Sequence, residues 1–299
     1  MNRPRISWTG LLALFVVYIV WGSTYLAIRY AVRMGSGFPP FSMAGTRVLL
    51  GGSILLLIAL GLRQRTRPTR AEFGWLALSA FLLWNGGNGL VSWAEQRAPS
   101  GYAALVVGTT PIFSAVIEAL FSRRRPSAGL LLALVVGFAG LFLLTQPILH
   151  AGGRSDYLTT LALVGAPLSW SVGSTLQKRH PVAMPIAVTA GWQQILGGVG
   201  FLVLLTATGE PTPHPSAAAW WAWGYLVIFG SVAFAAFLLA LRHLPMPIVM
   251  TYAYVNPVIA VLLGWFFLHE EVTLTTVGGM LLILTGVAGV FRQKFHPAD

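Results

Sequence analysis

The sequence predicts an all-α membrane protein in which ten transmembrane helices form two inverted five-helix repeats. Three observations predict this fold class. Hydrophobic residues make up 56% of the 299 positions and charged residues only 9%, whereas about a quarter of a soluble chain is charged. The chain contains ten hydrophobic runs of membrane-spanning length. Its second half also repeats short motifs of its first half.

The hydrophobic runs define the predicted helices in chain order. Each run is near or above the roughly 20 residues that an α-helix needs to cross the hydrocarbon core. Prolines inside four of the runs are expected to kink their helices. The runs cover residues 9–33, 40–62, 73–95, 98–121, 127–146, 158–178, 184–206, 217–241, 246–268 and 272–292, and the prolines are Pro111, Pro167, Pro247 and Pro257.

The internal repeat divides the chain into two domains. Residues 44–52 read Ala-Gly-Thr-Arg-Val-Leu-Leu-Gly-Gly, and residues 190–198, which lie 146 positions later, read Ala-Gly-Trp-Gln-Gln-Ile-Leu-Gly-Gly. We therefore predict a first five-helix repeat over residues 1–150 and a second over residues 151–299. Because five is odd, the second repeat must begin on the opposite side of the membrane. The same offset relates Pro99 to Pro245, Pro111 to Pro257 and Gly140 to Gly286.

The basic residues predict the orientation of the chain. Most of the 19 Lys and Arg residues fall in segments that share one side of the membrane if the N-terminus is cytoplasmic, as the positive-inside rule requires. We therefore expect both termini in the cytoplasm. The exceptions are Arg29, Arg33, Arg47, Arg97 and Arg154, which lie near or beyond the outer face.

Composition also excludes several classes of function. The net charge of +11 would suggest nucleic-acid binding in a soluble protein, but here it orients the chain in the bilayer. The absence of Cys excludes disulfides, zinc–thiolate sites and thiol nucleophiles. No metal-ligand spacing, phosphate-binding loop or nucleophile motif is present. We expect no enzyme, cofactor or metal, and a monomer whose partners are the lipid bilayer and a small-molecule substrate.

Several motifs resemble the drug/metabolite transporter superfamily, and in particular its ten-span EamA-type exporters. The resemblance implies an inner-membrane carrier with a central cavity that exports small metabolites by alternating access. Members of this family move amino acids, including aromatic ones, and assorted amphipathic compounds. The matching residues are Trp21 to Ile28, Gly45 to Arg47, Gly86 to Val91, Trp93 to Gln96, Pro99 to Gly101 and Glu270 to Thr273.

The third hydrophobic run carries a polar stripe. Asn85, Asn88, Ser92 and Glu95 are spaced by three, four and three residues, so in a regular α-helix they share one face. Polar groups at this depth are costly unless they face protein or water. We interpret the stripe as a cavity wall. Hydrogen bonding between helices is the alternative.

Two proline-broken helices suggest a second part of the site. Pro257 in the ninth run and Pro111 in the fourth lack the backbone donor of a regular helix and leave polar backbone unsatisfied. A symmetry-related pair of breaks near mid-membrane is typical of a transporter site. Hinges without substrate contact are the alternative. The candidates from this pattern are Tyr252, Tyr254, Asn256, Thr109 and Thr110.

Aromatic residues in the first helix of each repeat add further candidates. Trp21 and Trp170 lie near the middle of their runs, away from the interfaces where Trp usually anchors. They can stack on a planar or amphipathic substrate, or pack in the core. The small-residue motif beside Trp21 recurs in the second repeat, which adds Thr24 and Ser174 to the candidates.

Arg47 and Glu95 are candidate charge partners. Arg47 lies seven residues after Pro40, or roughly 10 Å along a helix, and its repeat counterpart is the neutral Gln193. Two roles remain open for Arg47. It pairs with Glu95 or snorkels to the outer surface, or it contacts a substrate carboxylate directly.

Together these patterns predict an exporter of small neutral or zwitterionic amphipathic metabolites, with amino acids, including aromatic ones, as the leading class. Export of unrelated drug-like compounds and a passive channel are the alternatives. No carboxylate falls at the centre of a predicted span, which favours facilitated diffusion over obligatory proton antiport.

Overall fold

The computed structural model describes residues 7–98, 103, 106–123, 125–150, 157–268 and 272–295. Within these ranges the regular secondary structure is helical, and no strand occurs. Some residues named above lie outside the described part of the chain. They are Pro99, Ser100 and Gly101, the pair Glu270 and Glu271, and Arg154.

Thirteen α-helices are assigned within the described ranges. Two π-helical segments, π1 (Phe81–Gly89) and π2 (Leu226–Gly230), connect α3 to α4 and α9 to α10 without a break in the chain direction. The α-helices are α1 Trp8–Val32, α2 Pro40–Gly61, α3 Arg70–Ala80, α4 Leu90–Ala94, α5 Thr110–Ser122, α6 Ala128–His150, α7 Tyr157–Arg179, α8 Ile186–Thr208, α9 Ala217–Tyr225, α10 Ser231–His243, α11 Met246–Met250, α12 Tyr252–Leu268 and α13 Leu274–Phe295.

Five continuous helical segments in the described chain are long and apolar enough to cross a membrane. Three further apolar helices are shorter. The protein is therefore an all-helical membrane protein. The long segments are Trp8–Val32, Pro40–Gly61, Ile186–Thr208, Ala217–His243 and Leu274–Arg292, and the shorter ones are Thr110–Ser122, Ala128–Leu143 and Met246–Ile259.

The N-terminus of α2 is capped from a distant loop. Its N-cap residue is Pro39, which offers no side-chain hydrogen bond to the first turn. Both carboxylate oxygens of Glu210 instead accept hydrogen bonds of 2.8 Å from the backbone N–H groups of Phe41 and Ser42. A carboxylate at this position satisfies free donors and complements the helix dipole. The connection after α8 thus holds the start of α2 in place.

The π segments occur at similar positions in the two halves of the chain. Adding the repeat offset of 146 to Phe81 gives position 227, which lies within π2. π-helical turns contain more residues per turn than α-helical turns, and they occur frequently at functional sites. The stretch Asn85–Gly89 contains three glycines, which weaken the α-helix and favour this departure.

Helices of the first half pack on helices of the second half in a reciprocal pattern. The α2 helix packs on α8, and α6 packs on α13. The α1 helix packs on α10 and α12, while α7 contacts π1 and α5. In addition, α1 contacts π2 and α7 contacts α4, so the first helix of each half packs on the predicted middle and fourth spans of the other half.

Glycines allow the repeated motifs of α2 and α8 to touch. A Cβ atom on Gly52 would lie 2.7 Å from the carbonyl oxygen of Gly191, and one on Gly198 would lie 2.5 Å from the Leu49 side chain. Gly45 and Gly198 face each other in the same way. Small residues at helix interfaces permit such close backbone approach. The duplicated motif is therefore a helix–helix contact surface.

Candidate ligand cavity

A partly open cavity lies in the helical bundle, between helices of both halves of the chain. The lining comes from α1, α2, π1, α4, α5, α7, π2 and α12, and from a residue that precedes α5. The lining residues are Trp21, Thr24, Tyr25, Ile28, Arg47, Trp84, Gly87, Asn88, Val91, Val107, Thr110, Ala166, Pro167, Trp170, Gly230, Tyr252 and Asn256.

Three aromatic rings of the lining lie at the end of the cavity nearer the start of α1 and pack on a fourth ring behind them. We call Trp21, Trp170, Tyr252 and the ring behind them, Phe237, the aromatic floor. The centroid of the Trp21 ring lies 5.4 Å from that of Trp170, 5.1 Å from that of Phe237 and 4.8 Å from that of Tyr252. The contacts of Trp21 with Trp170 and Tyr252 are edge-to-face, a geometry that stabilises aromatic clusters. The floor gives this end of the cavity a large apolar surface.

Polar contacts lie behind the floor, farther toward the start of α1. The hydroxyl groups of Tyr18 and Thr251 are 2.6 Å apart. The Lys178 ammonium donates to the carbonyl oxygens of Leu241 at 2.8 Å and Leu244 at 2.6 Å. These bonds join α1 to the α11–α12 junction and the end of α7 to the end of α10. Together with the floor they separate the cavity from the side on which α1 begins.

Arg47 provides the charge of the cavity. Its side chain is only 4% exposed, and its Nη2 donates a hydrogen bond to Oδ1 of Asn88. The guanidinium carbon also lies 5.9 Å from the centroid of the Trp84 ring. Asn88 and Trp84 therefore orient the guanidinium. Its Nε has no hydrogen-bond partner in the protein.

Two further residues of the lining carry buried polar atoms that make no hydrogen bond in the protein. These atoms are the indole Nε1 of Trp84 and the indole Nε1 of Trp170. The buried side-chain amide of Asn256 faces the hydroxyl group of Tyr25. Buried polar groups normally find partners. The lining is therefore chemically suited to a ligand that accepts hydrogen bonds and has an apolar body.

The predicted ion pair between Arg47 and Glu95 is not formed within 4 Å. Arg47 bonds to the amide of Asn88, because Glu95 lies seven residues, or about 10 Å, farther along the same helical run. Glu95 is buried, and neither carboxylate oxygen has a hydrogen-bond partner. Arg29 lies beside it but donates to the backbone carbonyl of Glu95. Both arginines thus bond to neutral acceptors.

Eight of the fourteen residues predicted from sequence line the cavity, and six do not. Asn85 donates to the Gly197 carbonyl at 3.0 Å, which is the interhelical alternative considered above. It diverges from Asn88 because π1 has more residues per turn than the regular helix assumed for the stripe. The six residues outside the lining are Asn85, Ser92, Glu95, Thr109, Ser174 and Tyr254.

Tyr254 faces a different part of the bundle. Its hydroxyl donates to the Leu134 carbonyl at 2.9 Å, and its ring fills the space above Gly137 on α6. Tyr252, two residues earlier, lines the cavity. The two tyrosines thus project on different sides of the same helix, as residues two apart must.

Sequence reasoning missed most of the apolar lining. Tyr25 and Ile28 follow Trp21 by four and seven residues, so their helical spacing could have identified them. Trp84 precedes Asn88 by four residues and Val91 follows it by three, so helical spacing could have identified these two as well. Val107, Ala166 and Gly230 resemble any other apolar residue of a membrane helix, and no sequence signal marks them. In the described part of the chain no three His, Asp or Glu side chains cluster as metal ligands would.

A helical membrane bundle around a cavity with unpartnered polar groups in its lining is an architecture typical of membrane transport proteins. The match of the sequence to a known family is more specific. The chain belongs to the EamA-like transporter family, which it matches over residues 8–146 and again over residues 158–292. The members of this family are transporters.

Relatives extend over nearly the whole chain. The uncharacterized inner membrane transporter YedA of Escherichia coli (strain K12) is 38% identical over 262 residues, which cover 84% of this chain and 80% of that protein. The uncharacterized transporter YoaV of Bacillus subtilis (strain 168) is 24% identical over 281 residues, covering 93% and 94%. A crystal structure with 20% identity has a TM-score of 0.77 and covers 94% of this chain and 95% of its own, so the two share a fold.

Proposed function

We propose that the protein exports small neutral or zwitterionic amphipathic metabolites across the bacterial inner membrane. Amino acids, including aromatic ones, are the leading substrate class. The observation that carries this proposal is the combination of an aromatic floor with unpartnered polar groups in one cavity. An aromatic surface accommodates an apolar body, while Arg47 and Asn256 offer hydrogen bonds to a polar head.

The proposed architecture is two inverted five-helix repeats, over residues 1–150 and 151–299, with ten spans in total. The reciprocal packing of α2 on α8 and of α6 on α13 supports it. So does the separate family match of each half. In this arrangement the third span consists of α3, π1 and α4, and the eighth consists of α9, π2 and α10.

The proposed mechanism is alternating access. The different surroundings of two equivalent residues, Arg47 and Gln193, support it. Arg47 lines an accessible cavity. Its repeat counterpart, Gln193, is fully buried, and its Nε2 donates to Ser79 and Gln177 at 2.6 Å each. Inverted repeats exchange such environments when the carrier turns over. In the opposite state a second cavity would open beside Gln193.

The proposed orientation places both termini in the cytoplasm, because the basic segments then lie inside. The aromatic floor would then close the cytoplasmic side of the cavity in the present conformation. We expect the protein to work as a monomer.

Transport by the purified protein in proteoliposomes tests the proposal directly. Labelled Phe, Trp, Thr and Met should enter faster than into protein-free vesicles, with saturation and with stimulation by unlabelled substrate on the opposite side. Rates equal to those of empty vesicles for all four would refute the amino-acid assignment. Flux that does not saturate would instead identify a passive channel. Movement of unrelated drug-like compounds alone would identify the broader exporter.

A further inference from the structure

The charge of the cavity has one sign. Among the described residues, Arg47 is the only charged side chain in the lining, and none of the lining residues is acidic. The guanidinium is almost completely buried. A buried charge in a membrane protein is expensive unless it is paired or solvated. The structure offers Arg47 a neutral amide and an aromatic face, but no anion within ion-pair distance.

The surroundings of Arg47 leave this positive charge uncompensated. Glu95, the charge partner considered for Arg47, forms no ion pair with it, and Arg29 bonds to the backbone carbonyl of Glu95. The accessible place for a negative charge beside Arg47 is the cavity.

The hydrogen-bonding groups around Arg47 are suited to a carboxylate. Asn88 occupies one terminal nitrogen and holds the guanidinium plane, while Nε remains unpartnered. Arginine binds carboxylates through parallel N–H groups. The indole N–H groups of Trp84 and Trp170 are additional donors without acceptors in the protein. Donors therefore outnumber acceptors among the unpartnered groups of the lining.

We propose that Arg47 anchors the carboxylate of the transported compound, and that this carboxylate, not an ammonium group, is the polar feature the cavity selects. The inference rests on the proposed function and narrows its substrate class to amphipathic organic carboxylates. The apolar body of the ligand lies on the aromatic floor. An ammonium group is tolerated beside the amide oxygen of Asn256, but no acidic side chain in the lining recognises it.

A series of phenyl compounds separates the contributions of the two head groups. The probes are phenylalanine, 3-phenylpropionate, 3-phenylpropanamide, phenylalaninol and 2-phenylethylamine. Binding is measured as the ligand-dependent rise in unfolding temperature of the full chain in detergent, and separately as inhibition of labelled phenylalanine uptake. We expect phenylalanine and 3-phenylpropionate to bind at least about tenfold more tightly than the other three, as the loss of a charged hydrogen bond implies. Equal binding of the acid and its amide would overturn the proposal.

Two variants test the role of Arg47 without depending on each other. Arg47→Gln removes the anchor. Asn88→Asp places a permanent carboxylate next to Arg47 in a side chain of nearly the same shape, so it should compete with the ligand even if Arg47→Gln folds poorly. In both variants the preference for 3-phenylpropionate over its amide should fall about tenfold. Arg33→Gln, which removes an exposed arginine outside the cavity, is the matched control and should keep the preference.

Failure of this inference is distinguishable from failure of the proposed function. Acid-selective binding without transport of any compound would refute the transport proposal and leave the anchor intact. Transport in which Asn88→Asp and Arg47→Gln both keep the wild-type preference would refute the anchor and leave the transport proposal intact.

Discussion

The indole rings of Trp21 and Trp170 meet edge to face, with ring centroids 5.4 Å apart and an angle of 79° between their planes. Trp21 belongs to α1 and Trp170 to α7, the leading helices of the two predicted repeats. The floor of the cavity is thus assembled where the halves of the chain meet. Any movement of one half relative to the other must separate or slide these two rings.

Removal of the Trp21 ring should weaken binding of aromatic substrates. Trp21→Ala removes an aromatic ring from the lining of the cavity, and one aromatic contact with a ligand is worth about 0.5–1.5 kcal/mol. We expect the apparent affinity for labelled phenylalanine in proteoliposomes to fall about tenfold or more. The control is Trp221→Ala, because Trp221 is 82% exposed. Equal kinetics in the two variants would contradict a substrate role for the floor.

A methyl group added at Gly140 should destabilise the bundle. The new Cβ atom would lie 2.6 Å from the backbone nitrogen of Ile283 and 2.8 Å from the carbonyl oxygen of Gly279. Backbone atoms cannot move aside as a flexible side chain can, so we expect a loss of about 1–3 kcal/mol, measured as a lower unfolding temperature in detergent.

Gly74→Ala is the control for this measurement. Nothing lies within 4 Å of the Cβ atom it would add, and alanine is the better helix former. Its unfolding temperature should be unchanged or slightly higher. An equal decrease in both variants would show that the α6–α13 contact is not the cause.

Loss of the Glu210 carboxylate should loosen the start of α2. Glu210→Gln removes one of the two acceptor oxygens that bond to the first turn of this helix and the charge that complements its dipole. Helix caps of this kind are worth roughly 1 kcal/mol. We expect a lower unfolding temperature and faster hydrogen exchange at Phe41 and Ser42.

The same substitution at Glu118 provides the comparison. Glu118 forms a 3.5 Å ion pair with Arg179, and both side chains are partly exposed. Surface pairs of this kind contribute about 0–1 kcal/mol, and α2 does not depend on them. A Glu118→Gln variant that exchanges like wild type at α2 would assign the effect to the cap, whereas equal changes would argue against it.

The membrane orientation can be tested cleanly because the chain contains no Cys. Single cysteines at Arg67 and Thr212 occupy exposed positions in two different connections. If the N-terminus is cytoplasmic, a membrane-impermeant maleimide should label Thr212→Cys in intact cells and Arg67→Cys only after permeabilisation. The reverse pattern would invert the proposed topology.

Sequence patterns predicted those parts of the structure that depend on residue type and spacing. The motifs that begin at Ala44 and Ala190 identified two surfaces that turn out to contact each other through their glycines. Polar side chains at mid-membrane are costly unless they face protein or water, and aromatic residues such as Trp usually lie at the interfaces. Exceptions to these rules identified Trp21, Arg47 and Asn88 in the sequence. All three line the cavity.

The remaining features depend on geometry that residue type does not report. The change from α- to π-helical turns at Phe81 separates Asn85 from Asn88, although their spacing places them on one face of a regular helix. The choice of Asn88 over Glu95 as the partner of Arg47 depends on distances along that same run. Val107 and Ala166 also line the cavity, but their residue types do not distinguish them from other apolar residues of a membrane helix.

The replacement of an arginine by a glutamine at equivalent positions has a consequence for how the two membrane faces compare. A carrier made of two identical subunits would present Arg47 on both faces. Because the two halves form one polypeptide, the second half can carry Gln193 instead. The affinity for an anionic head group can therefore differ between the cytoplasmic and the external side. The substrate concentration that gives half-maximal transport should then differ between substrate added on the cytoplasmic side and substrate added outside. The final distribution of a passively carried solute stays the same.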